Sequence, residues 1–381
     1  MKNQTDILYL GLIMGHGGDA VQMLELATGM AARGRNVKIV VPALETSLAF
    51  AERCRERAIP VERSPWIHSD PVAARQNLLN LFRLFTTYRA PILHLHTGDV
   101  CLPRSVMLAM DLLHLPPAYA TVHSPYETLT PGEPRARYWA SAVSRRLNRL
   151  ICPSIHSREA QLGYGVAPER VDVIHNSVDI ERFGSGSTTE VRRTLEASED
   201  AQIIVFSSRL DPQKRPQNAL DAFRRIAPEF PDARLVFVGR GEMENELKDA
   251  AQKSEVASRV HFAGYQKNVP DWLAAATAWI LPTESENFSL AILEALAAGC
   301  PIVSTMCPGN DEVLVENQNA LTTAVGDVAA QANALRKVLS DPALRSRLST
   351  AAKSTARHYS IERMVDRYAL CYSGDPVPAL T

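Results

Sequence analysis

Short apolar runs recur along this chain of 381 residues at intervals that each leave room for one helix, and they do so in two series. The first series reads as strands at 7–14 (ILYLGLIM), 36–41, 91–96 (PILHLH), 118–123 (AYATVH) and 149–154 (RLICPS). A tight loop at Gly15 to Gly18 and a helix from Asp19 to Arg33 follow the first of these. The second series runs through 203–208, 234–239, 259–264, 278–283, 301–305 and a weaker 320–325. Helical patterns are expected between its strands near 216–229, 242–254, 269–275, 289–298, 310–315 and 328–340. Strands that alternate with helices build an open, mostly parallel sheet covered on both faces.

Between the series lies Phe183-Gly184-Ser185-Gly186-Ser187-Thr188-Thr189, a run with little to bury that reads as a linker. The chain also exceeds the length at which one hydrophobic core usually stops growing. The expectation is a first domain over 1–183, a second over 190–360, and a C-terminal helix in 361–381. In sheets of this kind ligands sit beyond the carboxyl ends of the strands.

Composition narrows what such a fold could bind. Forty-one basic and 42 acidic side chains nearly cancel, so no global field favours nucleic acid and an anionic ligand must be held by a local group. The six cysteines, Cys54, Cys101, Cys152, Cys300, Cys307 and Cys371, form no Cys-x-x-Cys pair and lie beside no zinc-spaced histidine. A reduced, cytoplasmic protein without a structural metal fits this pattern. The opening apolar run is broken too early for a signal peptide, and no later run reaches the length of a membrane span.

Two carboxylates eight residues apart then stand out in TESENFSLAILEALAAG, residues 283–299. Glu286 falls in the loop after a strand, whereas Glu294 lies in the helix whose apolar pattern begins after Ser289. Between them, Phe288, Ser289 and Leu290 present backbone N–H groups at a helix N-terminus, where unpaired donors and the helix dipole favour an anion. Cations come from the loop SRLDPQKR, in which Arg209 and Lys214 can both reach a diphosphate.

The combination SRLDPQKR, VGRGEMENEL, HFAGY and Glu-x7-Glu within PTESENFSLAILEALAAGCPIV resembles the signature of retaining family-4 glycosyltransferases of the GT-B fold (glycosyl transferases group 1). GHGG after the first strand, His123 at the end of ATVH, and IHNSVDIERF are similar to that family's upstream pieces. The likeness runs from about residue 7 to about residue 340, and 330–372 also looks like the family's closing helices. It implies two Rossmann-like, doubly wound domains facing a cleft, with the last helix returning to the first domain.

By that resemblance, Glu286 orients the donor sugar and Glu294 binds the ribose of a nucleotide. The amides of Phe288, Ser289 and Leu290, with Arg209 and Lys214, bind the diphosphate and stabilise the charge that develops on it as the glycosidic bond breaks. Gly17 and Gly18 lie against the donor phosphates and acceptor, and His123 serves near the donor sugar. Asn176, in HNSVD, is a lesser donor-side candidate that equally suits a turn. Glu312, in PGNDEVL, matches a glutamate that follows a Gly-rich turn in the family, with Pro308 standing where a glycine is common and Ser289 replacing another frequent glycine. The chain has no Asp-x-Asp triplet, so basic side chains and a helix dipole stand where other transferases hold a divalent cation, and no cofactor is implied.

The expected partners are a nucleotide-sugar donor, with a UDP-sugar ahead of GDP-mannose, and an acceptor of unassigned class. The loop 123–134 (HSPYETLTPGEP) is expected to shape the acceptor site. The basic stretch 135–149 (RARYWASAVSRRLNR) matches the membrane-docking faces of some relatives, but a solvated helix face is its simpler reading. Other functions fit less well. A dehydrogenase needs a full G-x-G-x-x-G with an acidic residue ~20 positions on. A GT-B epimerase or phosphorylase needs a different carboxylate and histidine set or a cofactor lysine, and a catalytically inactive binding module would not need Arg209, Lys214, Glu286 and Glu294 together.

Overall fold

A computed structural model describes residues 5–12, 17–65, 74–97, 104–123 and 132–378. The chain divides into two compact units, Met1–Asn176 with Ile361–Thr381, and Ser177–Ser360. Each unit is a parallel sheet wrapped by helices.

In the first unit the strands are β1 (Ile7–Gly11), β2 (Val37–Pro42), β3 (Val61–Ser64), β4 (Ile92–Thr97), β5 (Ala118–Val122), β6 (Leu147–Cys152) and β7 (Val171–Val173). Their order is β3-β2-β1-β4-β5-β6-β7, with every pairing parallel. The strand order reverses between β1 and β4, the point at which crossovers leave to opposite faces. Apolar side chains of β1, β4 and β5 are buried on both faces, which is why these segments read as continuous apolar runs. The helix Ile361–Ser373 packs on the helix Gly18–Ala32 in this unit, where Val365 fills the space that a side chain at Gly29 would need. Arg33 and Asp366 join their ends at 2.6 Å.

In the second unit the strands are β8 (Ile203–Ser207), β9 (Arg234–Val238), β10 (Val260–Gly264), β11 (Ala278–Leu281), β12 (Ile302–Thr305) and β13 (Ala320–Thr323), ordered β10-β9-β8-β11-β12-β13. All pairings are again parallel, and the order reverses between β8 and β11. Trp279 Nε1 donates to Ser207 Oγ at 2.8 Å, tying those two central strands together in the core.

The structure departs from the sequence expectation at two places here. The run Phe183–Thr189 is packed rather than free. Phe183 belongs to the second core, the backbone at Gly186 presses on the Pro270 carbonyl, and Ser187 N donates to Asp271. The segment 310–315 forms successive turns instead of a helix. Asn310 is wholly buried and gives its side-chain N–H to Thr305 O at 3.0 Å, which fixes the backbone in a non-helical path.

Candidate active site

The loops that follow β8 and β11, together with the helix Leu290–Ala298 after the second, carry most of the residues that the sequence singles out, and the two loops lie at the switch point of the second sheet, where a ligand crevice is expected. They are laced together. Glu284 N donates to Gln213 O at 2.8 Å, Gln213 Nε2 to Ser285 O at 2.7 Å, and Arg215 Nη2 to Glu284 Oε2 at 2.9 Å. Asp211 builds the first loop: its carboxylate accepts from Lys214 N at 3.0 Å, capping the turn that Pro212 starts, and also pairs with Arg209 at 3.1 Å. Arg215 then takes a left-handed conformation, φ 47°, and so ends the turn and starts the helix Pro216–Ile226.

That turn directs Lys214 inward. Its Nζ donates to Glu286 Oε1 at 2.6 Å, with only 8 % of Lys214 and 5 % of Glu286 exposed. Arg209 differs, for 66 % of its side chain meets solvent. Among the described residues the site thus joins a buried, neutralised pair to a largely exposed cation, Arg209, whose partner is Asp211.

Ser289 is the N-cap residue of the helix Leu290–Ala298, and its side chain gives no capping bond to the first-turn N–H groups, which have no intrahelical partner. The Phe288 side chain faces the core beside Tyr359, ring centroids 5.3 Å apart, so it presents no side chain to an anion. Glu294 occupies the partly exposed face of the helix together with Leu290, Ala291 and Ala298. Desolvation pushes its carboxyl up to about 7 against the opposing pull of Arg182.

Glycines let the supporting loops close in. Gly309, at φ 85°, is so near the loop after β11 that a Cβ there would lie 2.5 Å from the carbonyl oxygens of Glu286 and Asn287. The Pro308 substitution thus leaves intact the glycine on which the Glu286 backbone rests. Gly239 and Gly241 bring the loop after β9 onto the Ser208 and Leu210 carbonyls in the same way. Glu312 is half-buried behind this turn, and its carbonyl accepts from Tyr359 Oη at 3.4 Å.

In the first unit, Gly17 caps and Gly18 begins the helix that follows β1. Gly17 has an ordinary φ of −83°, and what a Cβ would meet is the Asp19 carboxylate. Gly15 and His16 of GHGG lie outside the described residues, as do 124–131 of the expected acceptor loop. His123 follows β5, anchored by its N–H to Thr97 O at 2.8 Å and by its Nε2, 2.9 Å from His96 Nδ1. Asn176 ends this unit in irregular backbone after β7 and is half-buried. The helix Pro134–Arg146 buries Ala136, Trp139, Ala140, Ala142 and Val143, leaving Arg135, Arg137 and Arg145 in solvent, while Arg146 pairs with Asp111.

Comparison with known proteins gives the family. The model of Glycosyltransferase Family 4 matches residues 16–182, and that of Glycosyl transferases group 1 matches residues 187–355. The chain belongs to the family 4 glycosyltransferases. A D-inositol 3-phosphate glycosyltransferase of Frankia alni (strain DSM 45986 / CECT 9034 / ACN14a) is 26 % identical over 366 residues, 89 % of this chain and 90 % of the relative. The UDP-Gal:alpha-D-GlcNAc-diphosphoundecaprenol alpha-1,3-galactosyltransferase of Escherichia coli is 26 % identical over 305 residues, 77 % of each chain. Among solved structures, Anabaena Alr3699/HepE in complex with UDP-glucose superposes with a TM-score of 0.83 at 20 % identity, covering 97 % of this chain and 99 % of that one. Both units of this glycosyltransferase have the sheet architecture of the GT-B fold. Among the described residues no helix is long and apolar enough to cross a membrane.

Several residues of this candidate site carry little or no signal in the sequence. Asp211 before Pro212 carries a recognisable signal, a capping residue ahead of a proline at the first position of a turn. Gln213, Glu284 and Gly309 carry none, because their role depends on a second loop remote in the chain. His94 and His96 alternate along β4 and so share a face, a pattern that marks them as a pair without giving their partners.

Proposed function

We propose that this glycosyltransferase moves a sugar from a nucleoside-diphosphate-sugar, a UDP-sugar first and GDP-mannose next, to an acceptor hydroxyl with retention at the anomeric carbon. The observation that carries the reading is the convergence of Lys214, Glu286 and the uncapped N-terminus at Ser289 at one switch point. A diphosphate placed there takes the helix amides and Arg209, and competes with Glu286 for the Lys214 ammonium. Glu286 accepts hydrogen bonds from sugar hydroxyls, and Glu294 accepts those of the ribose.

In the transfer, the bond between the anomeric carbon and the diphosphate oxygen breaks as the acceptor oxygen bonds that carbon from the same face. The acceptor proton passes to the leaving diphosphate. Lys214, Arg209 and the amides stabilise the negative charge gathered on the leaving group, which serves the purpose a divalent cation serves elsewhere. His123 contacts the sugar as a neutral imidazole, since burial pushes its pKa down to about 4. The UDP preference draws on the donor named for the Escherichia coli relative and the ligand of the Anabaena structure.

The test is a thermal-shift panel of UDP, GDP, ADP, dTDP and NAD with the matching sugar nucleotides, with and without EDTA. Ligands that bind the native state raise its apparent stability. A shift with one diphosphate series that survives EDTA and is lost in Lys214→Ala supports the reading. The anomeric configuration of the product, read by NMR, then decides retention. A shift with NAD alone, or none, would overturn the proposal.

A further inference from the structure

We infer that His96 is a positioning residue for His123: its Nδ1–H donates to His123 Nε2 and thereby holds His123 as the tautomer whose proton sits on Nδ1. The tautomer follows from the first unit alone, and its consequence for a bound sugar rests on the reading of His123 given above.

The three histidines of β4 and the end of β5 form a column. His94 and His96 alternate along β4 and therefore project from the same face, and both are buried, at 0 % and 3 % exposure. His96 lies opposite Thr121 in the parallel pairing, and His123 is two residues further along that strand's path, so its ring reaches over His96. The His94 and His96 rings stack at 4.4 Å and 29°, and those of His96 and His123 at 5.2 Å and 18°.

The base of the column is fixed from the C-terminal helix. His94 Nδ1 lies 2.5 Å from Tyr372 Oη, and its Nε2 lies 2.9 Å from Thr121 Oγ1, which in turn meets Tyr368 Oη at 2.9 Å. Both nitrogens of His94 are thus engaged, and its ring is held in the plane on which His96 stacks.

All three rings are neutral at pH 7, because burial pushes His94 down to about 3, His123 down to about 4, and His96 well below its ordinary value. A neutral imidazole carries one N–H and one lone pair, so the 2.9 Å contact between His96 Nδ1 and His123 Nε2 has one donor. Two arrangements are open, and the far nitrogen of His96 separates them. Among the described residues His96 Nε2 has no hydrogen-bond partner. If His123 donated, the proton of His96 would be on that nitrogen, a buried N–H with no acceptor. If His96 donates, the unpaired group is only a lone pair. Orphaned buried N–H groups are rarer than under-satisfied acceptors, and an unmade bond at a buried donor costs its full desolvation. His96 therefore donates. The proton of His123 then sits on Nδ1, and its Nε2 keeps the lone pair that accepts from His96.

The experiment is a long-range proton–nitrogen correlation spectrum of the imidazoles in the full chain labelled with 15N-histidine, with His123→Ala used to assign the signal. The expected result in the wild type is an unprotonated Nε2 and a protonated Nδ1 for His123. His96→Phe keeps the stacked ring but removes the donor, and is expected to release His123 to the other tautomer or to exchange between the two. His96→Asn, which places an amide N–H near the position of Nδ1, is expected to restore the wild-type pattern. A wild-type spectrum with the proton on Nε2, or a folded His96→Phe with an unchanged pattern, would overturn the inference. Where His96→Phe does not fold, the wild-type and His96→Asn spectra decide. The spectra are taken without donor, so they stand apart from the transferase reading, which is tested separately by whether His96→Phe lowers kcat while the nucleotide Kd holds and His96→Asn recovers it.

Discussion

Lys214 Nζ and Glu286 Oε1 meet at 2.6 Å across 72 residues of sequence, joining the loop after β8 to the loop after β11 in a contact almost closed to solvent. Each loop supplies one member of the pair, so the contact is both part of the candidate site and part of what holds the site's shape.

The first prediction concerns that dual role. Removing one member of a buried pair leaves the other uncompensated, so Lys214→Met and Glu286→Gln singly should each lower the unfolding free energy by about 3 kcal/mol. The double variant should lose less than the two together, because no charge is stranded. Urea denaturation measures this, and additivity to within about 0.5 kcal/mol would show the two residues to be independent.

Gly309 offers a test of the support beneath Glu286. Its left-handed φ and the 2.5 Å approach to two carbonyl oxygens mean that Gly309→Ala must displace the loop or strain itself. A loss of about 1 to 3 kcal/mol is expected, with weaker nucleotide binding in the fraction that folds. Unchanged stability in the same denaturation experiment would mean that the turn has room that the structure does not show.

How much of this was legible beforehand depends on where each residue sits. The central strands announce themselves because a parallel strand buried on both faces must be apolar throughout. Among the described strands, β3 (VERS) and β7 (VDV) do not stand out as apolar runs, and these are the two edge strands of the first sheet, where charged residues are tolerated and useful. The sequence at 310–315 reads as a helix, and the bond that decides for turns, from the buried Asn310 side chain to Thr305 O, leaves no periodic signal. In the site, residue types and their loops were readable, since Glu286, Lys214 and Arg209 follow strand ends. The pairing of Lys214 with Glu286 and the stacking of His123 on His96 were not, because contacts between distant segments leave no local periodicity.

Arg209 should behave unlike Lys214. It is mostly exposed and its partner Asp211 is itself held by the turn, so Arg209→Ala should change stability by less than about 0.5 kcal/mol. Its effect should fall on the ligand instead. Removing a charge-assisted contact to the diphosphate is expected to weaken nucleotide binding about tenfold and to reduce its sensitivity to salt. Calorimetric titration at two ionic strengths checks both, and an affinity equal to wild type at low salt would remove Arg209 from the site.

Glu294 gives the site a pH dependence whose sign can be worked out. Desolvation raises its carboxyl from the ordinary 4.5 to about 7 in the folded chain, so the folded state holds this proton more tightly than the unfolded one. Its contribution to stability is therefore complete below the unfolded value and is lost as pH rises from there through about 7. Ligand binding should run the other way. An ionised Glu294 accepts hydrogen bonds from both ribose hydroxyls, whereas the protonated form spends one oxygen as a donor, so nucleoside-diphosphate affinity should rise between pH 6 and 8 with a midpoint near 7. Glu294→Gln cannot titrate and should bind weakly with a flat profile across that range. Calorimetric titration over the interval measures both slopes, and a wild-type affinity that does not change with pH, or a variant that keeps the same rise, would assign the dependence to another group.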